Sequence, residues 1–207
     1  MPHKPIIAGI ILAAGSSTRF GADNKLLATI DGRPLVTRVI EALEAGGIAR
    51  LVVVTGHEPD LVAAATAGPG RRITYNERHA RGMGTSVAAG IKALDDDVAG
   101  ALIAQGDMPA VDATLIANLC RHFGDAGCDR IVHPVLADGR QGNPVIWPPR
   151  LFAELRKLGS DKGAKALIEA EGDRVVRVPV AGDGAGTDID TREDLSAYVA
   201  ARTSQPR

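Results

Sequence analysis

The sequence is poor in aromatic residues and almost free of net charge. Aromatic side chains make up 3% of the 207 residues, and the formal net charge at pH 7 is −1. A base-stacking surface needs aromatic rings, and attraction to nucleic acid or an anionic membrane needs a strong positive field. The longest apolar stretch, about residues 5–15, is too short to span a bilayer, and Lys4 alone is not the charged start of a secretory signal. We therefore expect a cytoplasmic protein that binds neither nucleic acid nor a membrane.

Cysteine is also scarce, since Cys120 and Cys128 are the only two. Their spacing fits no zinc motif and no Cys-x-x-Cys pair is present, so both are expected to be reduced thiols without a metal role. Hydrophobic residues at 45% and charged residues at 24% are ordinary for a globular chain of this length. Because no repeat or linker is visible, we expect one domain over residues 1–203 and a frayed tail over residues 204–207.

Strand-like and helix-like segments alternate along most of the chain. Short apolar runs at residues 6–12, 51–55 and 101–104 are typical of buried strands, and segments with a helical period separate them. This alternation with short connections predicts an α/β fold, a three-layer α/β/α Rossmann-like arrangement around a mostly parallel sheet. The pattern changes at residues 130–135 and 144–147, which we interpret as an antiparallel hairpin inserted into the sheet.

The stretch from residue 12 to residue 25 has the composition of a phosphate-binding loop. It begins where the first apolar run ends, and its small residues and glycines leave backbone N–H groups accessible to a phosphate. Arg19 and Lys25 add two positive charges within reach of the same anion. The spacing is neither that of a P-loop nor that of a dinucleotide motif, because five residues separate Gly15 from Gly21. The alternative is a surface turn with incidental basic residues.

An aspartate follows the third apolar run at the same edge of the predicted sheet. Asp107, in the stretch Gln-Gly-Asp-Met-Pro, comes directly after a strand that should lie close to the loop. A carboxylate next to a phosphate-binding loop would repel a triphosphate unless a divalent cation stood between them, which indicates Mg²⁺. The alternative is that Asp107 is a turn residue or a helix cap ahead of Pro109.

The loop residues also carry a family resemblance. The pattern Leu-Ala-Ala-Gly-x-x-x-Arg-x-Gly-x-x-x-Lys over residues 12–25 resembles the signature of the nucleotidyltransferases that activate sugars, isoprenoid precursors and molybdopterin. The closest likeness is to the molybdenum cofactor cytidylyltransferases. Further matching pieces occur in the family's order at residues 82–86, 105–109, 140–144 and 188–191. The resemblance implies the nucleotide-diphospho-sugar transferase-like form of the predicted fold.

The resemblance implies which side chains act on the phosphates and the metal. Arg19, Lys25 and Asp107 are the catalytic residues, and the two cations would stabilise the leaving pyrophosphate. Asp107 and Asp190 would hold Mg²⁺ against the α-phosphate. Asp188 is a less favoured second ligand, and Asp190 could instead cap the last helix.

The remaining site residues are assigned to the nucleotide and to the acceptor. The acceptor-binding residues that the resemblance implies are His133, Arg140 and Asn143, with Arg140 suited to a terminal phosphate. On the residues alone, residues 84–86 are equally a helix cap, and Asn143 is equally a turn residue. The double alanine at residues 13–14 favours cytidine, because relatives that use guanine usually carry glycine at the second position. The nucleotide-binding residues implied are Leu12, Ala13, Ala14, Gly15, Gly84, Thr85 and Ser86. Two other histidines, His79 and His122, are expected to face solvent. His57, which ends a strand on the same edge, is expected to face solvent too, and the alternative is that it approaches a phosphate or the acceptor.

Together these assignments predict an enzyme that transfers CMP from CTP to the phosphate of molybdopterin. Direct in-line attack on the α-phosphorus would release pyrophosphate, with positioning and charge neutralisation supplying most of the rate. A molybdoenzyme is a candidate partner. One alternative is a transferase for a sugar or alcohol phosphate, and another is a carrier that hands over molybdopterin without turnover. A nicotinamide oxidoreductase on the same scaffold lacks a supporting dinucleotide motif.

Overall fold

Nine strands and seven α-helices make up the part of the chain that the computed structural model describes, residues 5–160 and 162–203. Over these residues, no helix is both long and apolar enough to cross a membrane. The tail predicted over residues 204–207 lies outside the described residues, and the one-domain organisation stays a prediction. The strands are β1 (Ile7–Ala13), β2 (Thr29–Ile30), β3 (Arg33–Pro34), β4 (Leu51–Thr55), β5 (Arg71–Tyr75), β6 (Gly100–Gln105), β7 (Ile131–Val135), β8 (Val145–Trp147) and β9 (Val175–Pro179). The helices are α1 (Leu35–Ala45), α2 (Pro59–Thr66), α3 (Met83–Lys92), α4 (Ala113–Asp125), α5 (Phe152–Leu155), α6 (Lys162–Glu171) and α7 (Arg192–Thr203).

Seven of the strands form one sheet in the order β5-β4-β1-β6-β8-β7-β9. β1 lies between β4 and β6 and pairs in parallel with both, and β4 pairs in parallel with β5. β8 pairs antiparallel with β6 and β7, whereas β7 pairs in parallel with β9. The sheet is therefore mostly parallel, which confirms the predicted fold class. The two strands of the predicted hairpin are neighbours, but only β8 runs against the other strands.

Helices cover both faces of the sheet with apolar side chains. On one face α1 and α4 pack through residues such as Leu43 and Phe123, which are fully buried. On the other face α3, α5 and α6 contribute Ile91, Leu155 and Ile168. Because the central strands are covered on both sides, their sequences are near-continuous apolar runs rather than alternating ones. The three layers predicted from the sequence are present.

A third, smaller apolar cluster joins the beginning of the chain to its end. Phe20, Ile30, Leu35 and Ile189 are buried together, and Tyr198 of α7 packs against them. The loop after β1 and the segment before α7 therefore share one core, although they lie at opposite ends of the sequence. This cluster fixes where the charged neighbours of Phe20 and Ile189 can be placed.

Helix α3 packs unusually close to the sheet. A Cβ atom built on Gly90 would lie 2.4 Å from Ile10 Cγ2 and 3.2 Å from Val54 Cγ2. Only glycine therefore allows this approach without displacement of the strand side chains. The close contact packs the second half of α3 against β1 and β4.

Candidate active site

The carboxyl ends of β1 and β6 bring the loop and Asp107 together. Leu12 and Gln105 are partners in the parallel register of these two strands, and the N–H of Gly106 donates to the Leu12 carbonyl at 3.0 Å. A Cβ on Gly106 would lie 3.1 Å from the same carbonyl, so the backbones approach closely here. Asp107 therefore lies beside the loop, as the order of strands and motifs predicts.

A backbone hydrogen bond brings the segment before α7 to the same place. The N–H of Ile189 donates to the carbonyl of Asp107 at 3.0 Å, while the Ile189 side chain is buried in the third apolar cluster. The next residue, Asp190, reaches the site, whereas Asp188 is exposed. Of the two aspartates considered from the sequence, the structure brings Asp190 to Asp107.

Four charged side chains form a continuous chain of ion pairs. Lys25 Nζ lies 2.7 Å from Asp107 Oδ2 and 2.7 Å from Asp190 Oδ1, and Arg19 Nη1 lies 2.6 Å from Asp190 Oδ2. The side chains of Lys25 and Asp107 are only 12% and 14% exposed, whereas that of Arg19 is 74% exposed. Asn24 fixes the start of this arrangement, because its side chain accepts a hydrogen bond from Leu26 N–H and caps the 3₁₀ turn that carries Lys25. The three predicted catalytic residues and Asp190 thus meet.

The ammonium group of Lys25 stays charged in this setting. Burial on its own would favour the neutral amine and lower the pKa. The charges and hydrogen bonds of Asp107 and Asp190 outweigh burial, so the pKa of Lys25 lies above its ordinary value. The site therefore keeps a fixed positive charge between two carboxylates at neutral pH.

Three buried polar atoms of the site have no hydrogen-bond partner among the described residues. They are Asp107 Oδ1, Ser17 Oγ and Asn24 Nδ2. Ser17 also has a φ of 52°, a left-handed conformation that is uncommon for a residue other than glycine. Unpaired buried polar atoms are costly, and they are typical of sites where a ligand or an ion supplies the missing contact.

The carboxylates fit a divalent cation only as part of a larger ligand set. Within residues 5–160 and 162–203, no group of three or more His, Cys, Asp or Glu side chains is arranged to hold a metal ion. Asp107 and Asp190 nevertheless approach one ammonium group together, and Asp107 Oδ1 is unpaired. A hard cation such as Mg²⁺ commonly takes one or two carboxylates and completes its shell with phosphate oxygens and water. The chemistry of these residues therefore fits Mg²⁺ or Mn²⁺.

A cavity of about 400 Å³ lies over these charged groups. Of the predicted nucleotide-binding residues, Leu12, Ala14, Gly15 and Ser86 line it, whereas the buried Ala13 and Thr85 do not. His79 also lines it, so this histidine is not simply a solvent-facing residue as the sequence suggested. The full lining is Leu12, Ala14, Gly15, Ser16, Ser17, Thr18, Arg19, Lys25, Leu26, His79, Met83, Ser86, Gln105, Asp107 and Asp190.

A second cavity of about 550 Å³ adjoins the first and is mainly apolar. The two cavities share Leu12, Met83 and Gln105. Two of the predicted acceptor residues, Arg140 and Asn143, line the second cavity, and so does Gly84. The other lining residues are Val87, Ile103, Gln141, Val145, Trp147, Ala164, Lys165 and Ile168.

The third predicted acceptor residue, His133, lines neither cavity. It is 3% exposed, and its Nδ1 lies 2.9 Å from the carbonyl of Pro134. Burial lowers the pKa of His133, so its ring is neutral at physiological pH. The residue lies on β7, an interior strand between β8 and β9, rather than on an exposed hairpin. Its environment is that of a core residue.

The polar network at the start of α3 includes a residue that the sequence interpretation missed. Thr85 is buried, and its hydroxyl donates to the Gly82 carbonyl at 2.9 Å. Asn76, which directly follows β5, is also buried and donates to the hydroxyls of Thr85 and Ser86. Its position in the sequence could have identified Asn76 as a site residue, because it follows a strand at the same sheet edge as Asp107. Gln105 could have been found by the same rule.

Comparison with known proteins identifies the family. Residues 9–175 match the model of the MobA-like NTP transferase domain, which is well over half of the chain. The chain therefore belongs to the MobA-like NTP transferase family. The nucleotidyltransferase class that its motifs predict is confirmed at this level.

Several individual proteins are similar to this chain in sequence or in structure. Nicotine blue oxidoreductase from Paenarthrobacter nicotinovorans is 27% identical over 195 residues, which cover 92% of this chain and 95% of that protein. The bifunctional protein GlmU of Agrobacterium fabrum is 31% identical over 122 residues, or 58% of this chain and 27% of that protein. Rv0371c from Mycobacterium tuberculosis H37Rv has a structure 25% identical in sequence, with a TM-score of 0.82 over 96% of this chain and 100% of that one. A structure of Rv0371c in complex with manganese is 24% identical, with a TM-score of 0.76 over 94% of this chain and 98% of that one.

Proposed function

We propose that the protein transfers CMP from CTP to the phosphate of molybdopterin and releases pyrophosphate. The observation that carries the proposal is the position of Lys25 between Asp107 and Asp190, under the loop that follows β1. A largely buried cation beside two carboxylates, one with an unpaired oxygen, is suited to a triphosphate that arrives with a divalent cation. The family match supports transfer to an acceptor rather than simple hydrolysis.

The backbone and side-chain groups of the first cavity have different proposed roles in binding the triphosphate. Backbone N–H groups between Ala14 and Arg19 would receive the phosphates, and Arg19 and Lys25 would stabilise the charge on the leaving pyrophosphate. A divalent cation held by Asp107 and Asp190 would neutralise charge at the α-phosphate, and the manganese complex of Rv0371c supports this assignment. The protein supplies position and charge, and no covalent intermediate with the chain is required.

The second cavity is the proposed acceptor site. It opens beside the first at Leu12 and Gln105, so an acceptor held there can present a phosphate to the nucleotide. Its apolar wall, which includes Trp147, suits a flat ring system, while Arg140 and Asn143 lie at the same cavity. These features favour molybdopterin over a small sugar phosphate. His133 takes no part in this proposal.

Pyrophosphate release tests the proposal directly. The protein is incubated with Mg²⁺ and each of CTP, GTP, UTP and ATP, with and without molybdopterin. Release with CTP that depends on molybdopterin is the expected result. Release with a sugar or alcohol phosphate instead would reassign the acceptor, and no release with any acceptor would favour the carrier hypothesis.

Matched aspartate variants locate the chemistry. Asp107→Asn should lower kcat/KM by about 10²-fold, on the scale of a lost preorganised electrostatic contact. Asp188→Asn is the control, because Asp188 is exposed and lines neither cavity. Equal losses in the two variants would contradict the assigned roles.

A second candidate function is reduction of an aromatic substrate by a reduced nicotinamide. It is favoured by the near full-length likeness to nicotine blue oxidoreductase and by the mainly apolar second cavity. Loss of reduced-nicotinamide absorbance with an aromatic quinone, and no pyrophosphate release with any nucleotide, would establish this function in place of transfer.

A further inference from the structure

A buried amide behind the first cavity donates a hydrogen bond to a hydroxyl at the cavity wall. Asn76 is 4% exposed, and its Nδ2 donates to Ser86 Oγ at 3.0 Å and to Thr85 Oγ1 at 2.8 Å. Its Oδ1 accepts a hydrogen bond from the N–H of Arg78 at 3.0 Å. This third contact fixes the amide, because the reversed orientation would set an NH₂ group against an N–H donor.

Both hydrogens of the Asn76 amide are therefore used, and both hydroxyls act as acceptors toward it. The Thr85 hydroxyl donates its hydrogen bond to a backbone carbonyl, either that of Gly82 at 2.9 Å or that of Arg78 at 3.0 Å. Within the part of the chain that the structure describes, Ser86 makes no hydrogen bond as a donor. Ser86 lines the first cavity, whereas Asn76 and Thr85 do not.

We infer that Asn76 holds the Ser86 hydroxyl as a hydrogen-bond donor to the nucleotide base, so that the site selects a base with an acceptor at that point. The inference rests on the proposed function. It adds that, in base recognition at this point, the protein donates the hydrogen bond and the base accepts it. The O2 carbonyl of a pyrimidine is an acceptor of this kind. Asn76 is a positioning residue, because it acts on the ligand only through Ser86.

Removal of the Ser86 hydroxyl should weaken binding of the base and leave binding of the phosphates unchanged. Calorimetric titration in Mg²⁺ measures two probes, CTP and inorganic tripolyphosphate, which carries no base. Ser86→Ala should weaken CTP by about 3- to 10-fold, the range expected for one neutral hydrogen bond. Tripolyphosphate should bind the variant and the wild type equally. An unchanged CTP affinity, or an equal loss for both probes, would overturn the inference.

Variants of Asn76 test whether it acts through Ser86. Asn76→Asp can only accept hydrogen bonds, so it should turn the Ser86 hydrogen away from the ligand and weaken CTP as much as Ser86→Ala does. A buried carboxylate can prevent folding, so Asn76→Ser is measured too, and it should weaken CTP less because it only frees the hydroxyl. In the Ser86→Ala background, neither change should weaken CTP further. If the Asn76 variants lose as much CTP affinity in that background as they do in the wild type, the positioning role is refuted.

The same titrations separate this inference from the proposed function. If the wild type binds neither CTP nor tripolyphosphate, the proposed function fails and the inference fails with it. If the wild type binds both probes and Ser86→Ala leaves CTP unchanged, only the inference fails.

Discussion

Replacement of Lys25 by methionine tests the organisation of the site without a substrate. Met is an unbranched side chain only one atom shorter than Lys, but it removes the charge that separates Asp107 from Asp190. Loss of one partner from a buried ion pair costs about 3–5 kcal/mol. The two carboxylates retain 14% and 24% exposure and Arg19 still contacts Asp190, so we expect a smaller loss, about 2 kcal/mol. For a chain of 207 residues this lowers Tm by about 4–8 °C.

A divalent cation should reverse that loss. Mn²⁺ must compete with the Lys25 ammonium for both carboxylates in the wild type, whereas in Lys25→Met only the exposed Arg19 still pairs with one of them, Asp190. We therefore expect Mn²⁺ to bind the variant about tenfold more tightly, which is a typical coupling free energy of 1–3 kcal/mol. At a concentration of about 100 times Kd, a ligand of the native state adds about 2.7 kcal/mol of stability, enough to offset the loss.

The assay is thermal unfolding in EDTA and in Mn²⁺, with free Mn²⁺ followed by electron paramagnetic resonance. Arg33→Met is the control, because Arg33 pairs with Glu41 at an exposed position away from both cavities. Its Tm should change by less than about 2 °C, with no dependence on Mn²⁺ beyond that of the wild type. Weaker Mn²⁺ binding by Lys25→Met would refute the reasoning, since it would mean that Asp107 and Asp190 do not share one cation position.

Two further predictions concern stability. His133 is kept neutral by burial, so only the unfolded chain takes up a proton as the pH falls below about 6.5, and stability is lost downward from there by at most about 1.4 kcal/mol per pH unit. Urea unfolding at several pH values should show this loss reduced in His133→Asn and retained in the control His122→Asn. Gly90→Ala should destabilise the fold by about 1–3 kcal/mol because its Cβ would meet Ile10 at 2.4 Å. Gly124→Ala, in α4 with nothing within 4 Å, should instead stabilise it by about 0.5–1 kcal/mol, and a similar Tm shift for both variants would contradict the packing argument.

Much of the fold and the core of the site could be predicted because they follow local rules. The apolar runs identify the central strands, and parallel strands put the residues after their carboxyl ends at one edge. That rule alone brings Asp107 to the loop that carries Arg19 and Lys25. The same rule would have identified Asn76, whose polar side chain follows β5, but its role depends on a contact with Ser86 ten positions later.

The positions of the proposed acceptor residues were harder to predict because they depend on the order of strands in the sheet. His133 belongs to a segment that could be an exposed hairpin, in which case its side chain would be accessible. The structure instead inserts β8 between β6 and β7 and adds β9 beyond, so β7 is covered on both edges. Strand order depends on pairing between distant segments of the chain. It cannot be predicted from the hydrophobic periodicity of β7 alone.

The contact between Lys25 and Asp190 shows why the whole site could not be predicted from local sequence patterns. These residues are 165 positions apart, and alternation alone cannot decide between Asp188 and Asp190. What decides is the residue between them, because Ile189 is buried with Phe20 and its N–H is bound to the Asp107 carbonyl. Burial of apolar surface supplies the free energy that holds two carboxylates close together against their repulsion. The apolar cluster therefore positions the charged site, and Lys25 is the counter-charge that offsets the repulsion between the two carboxylates.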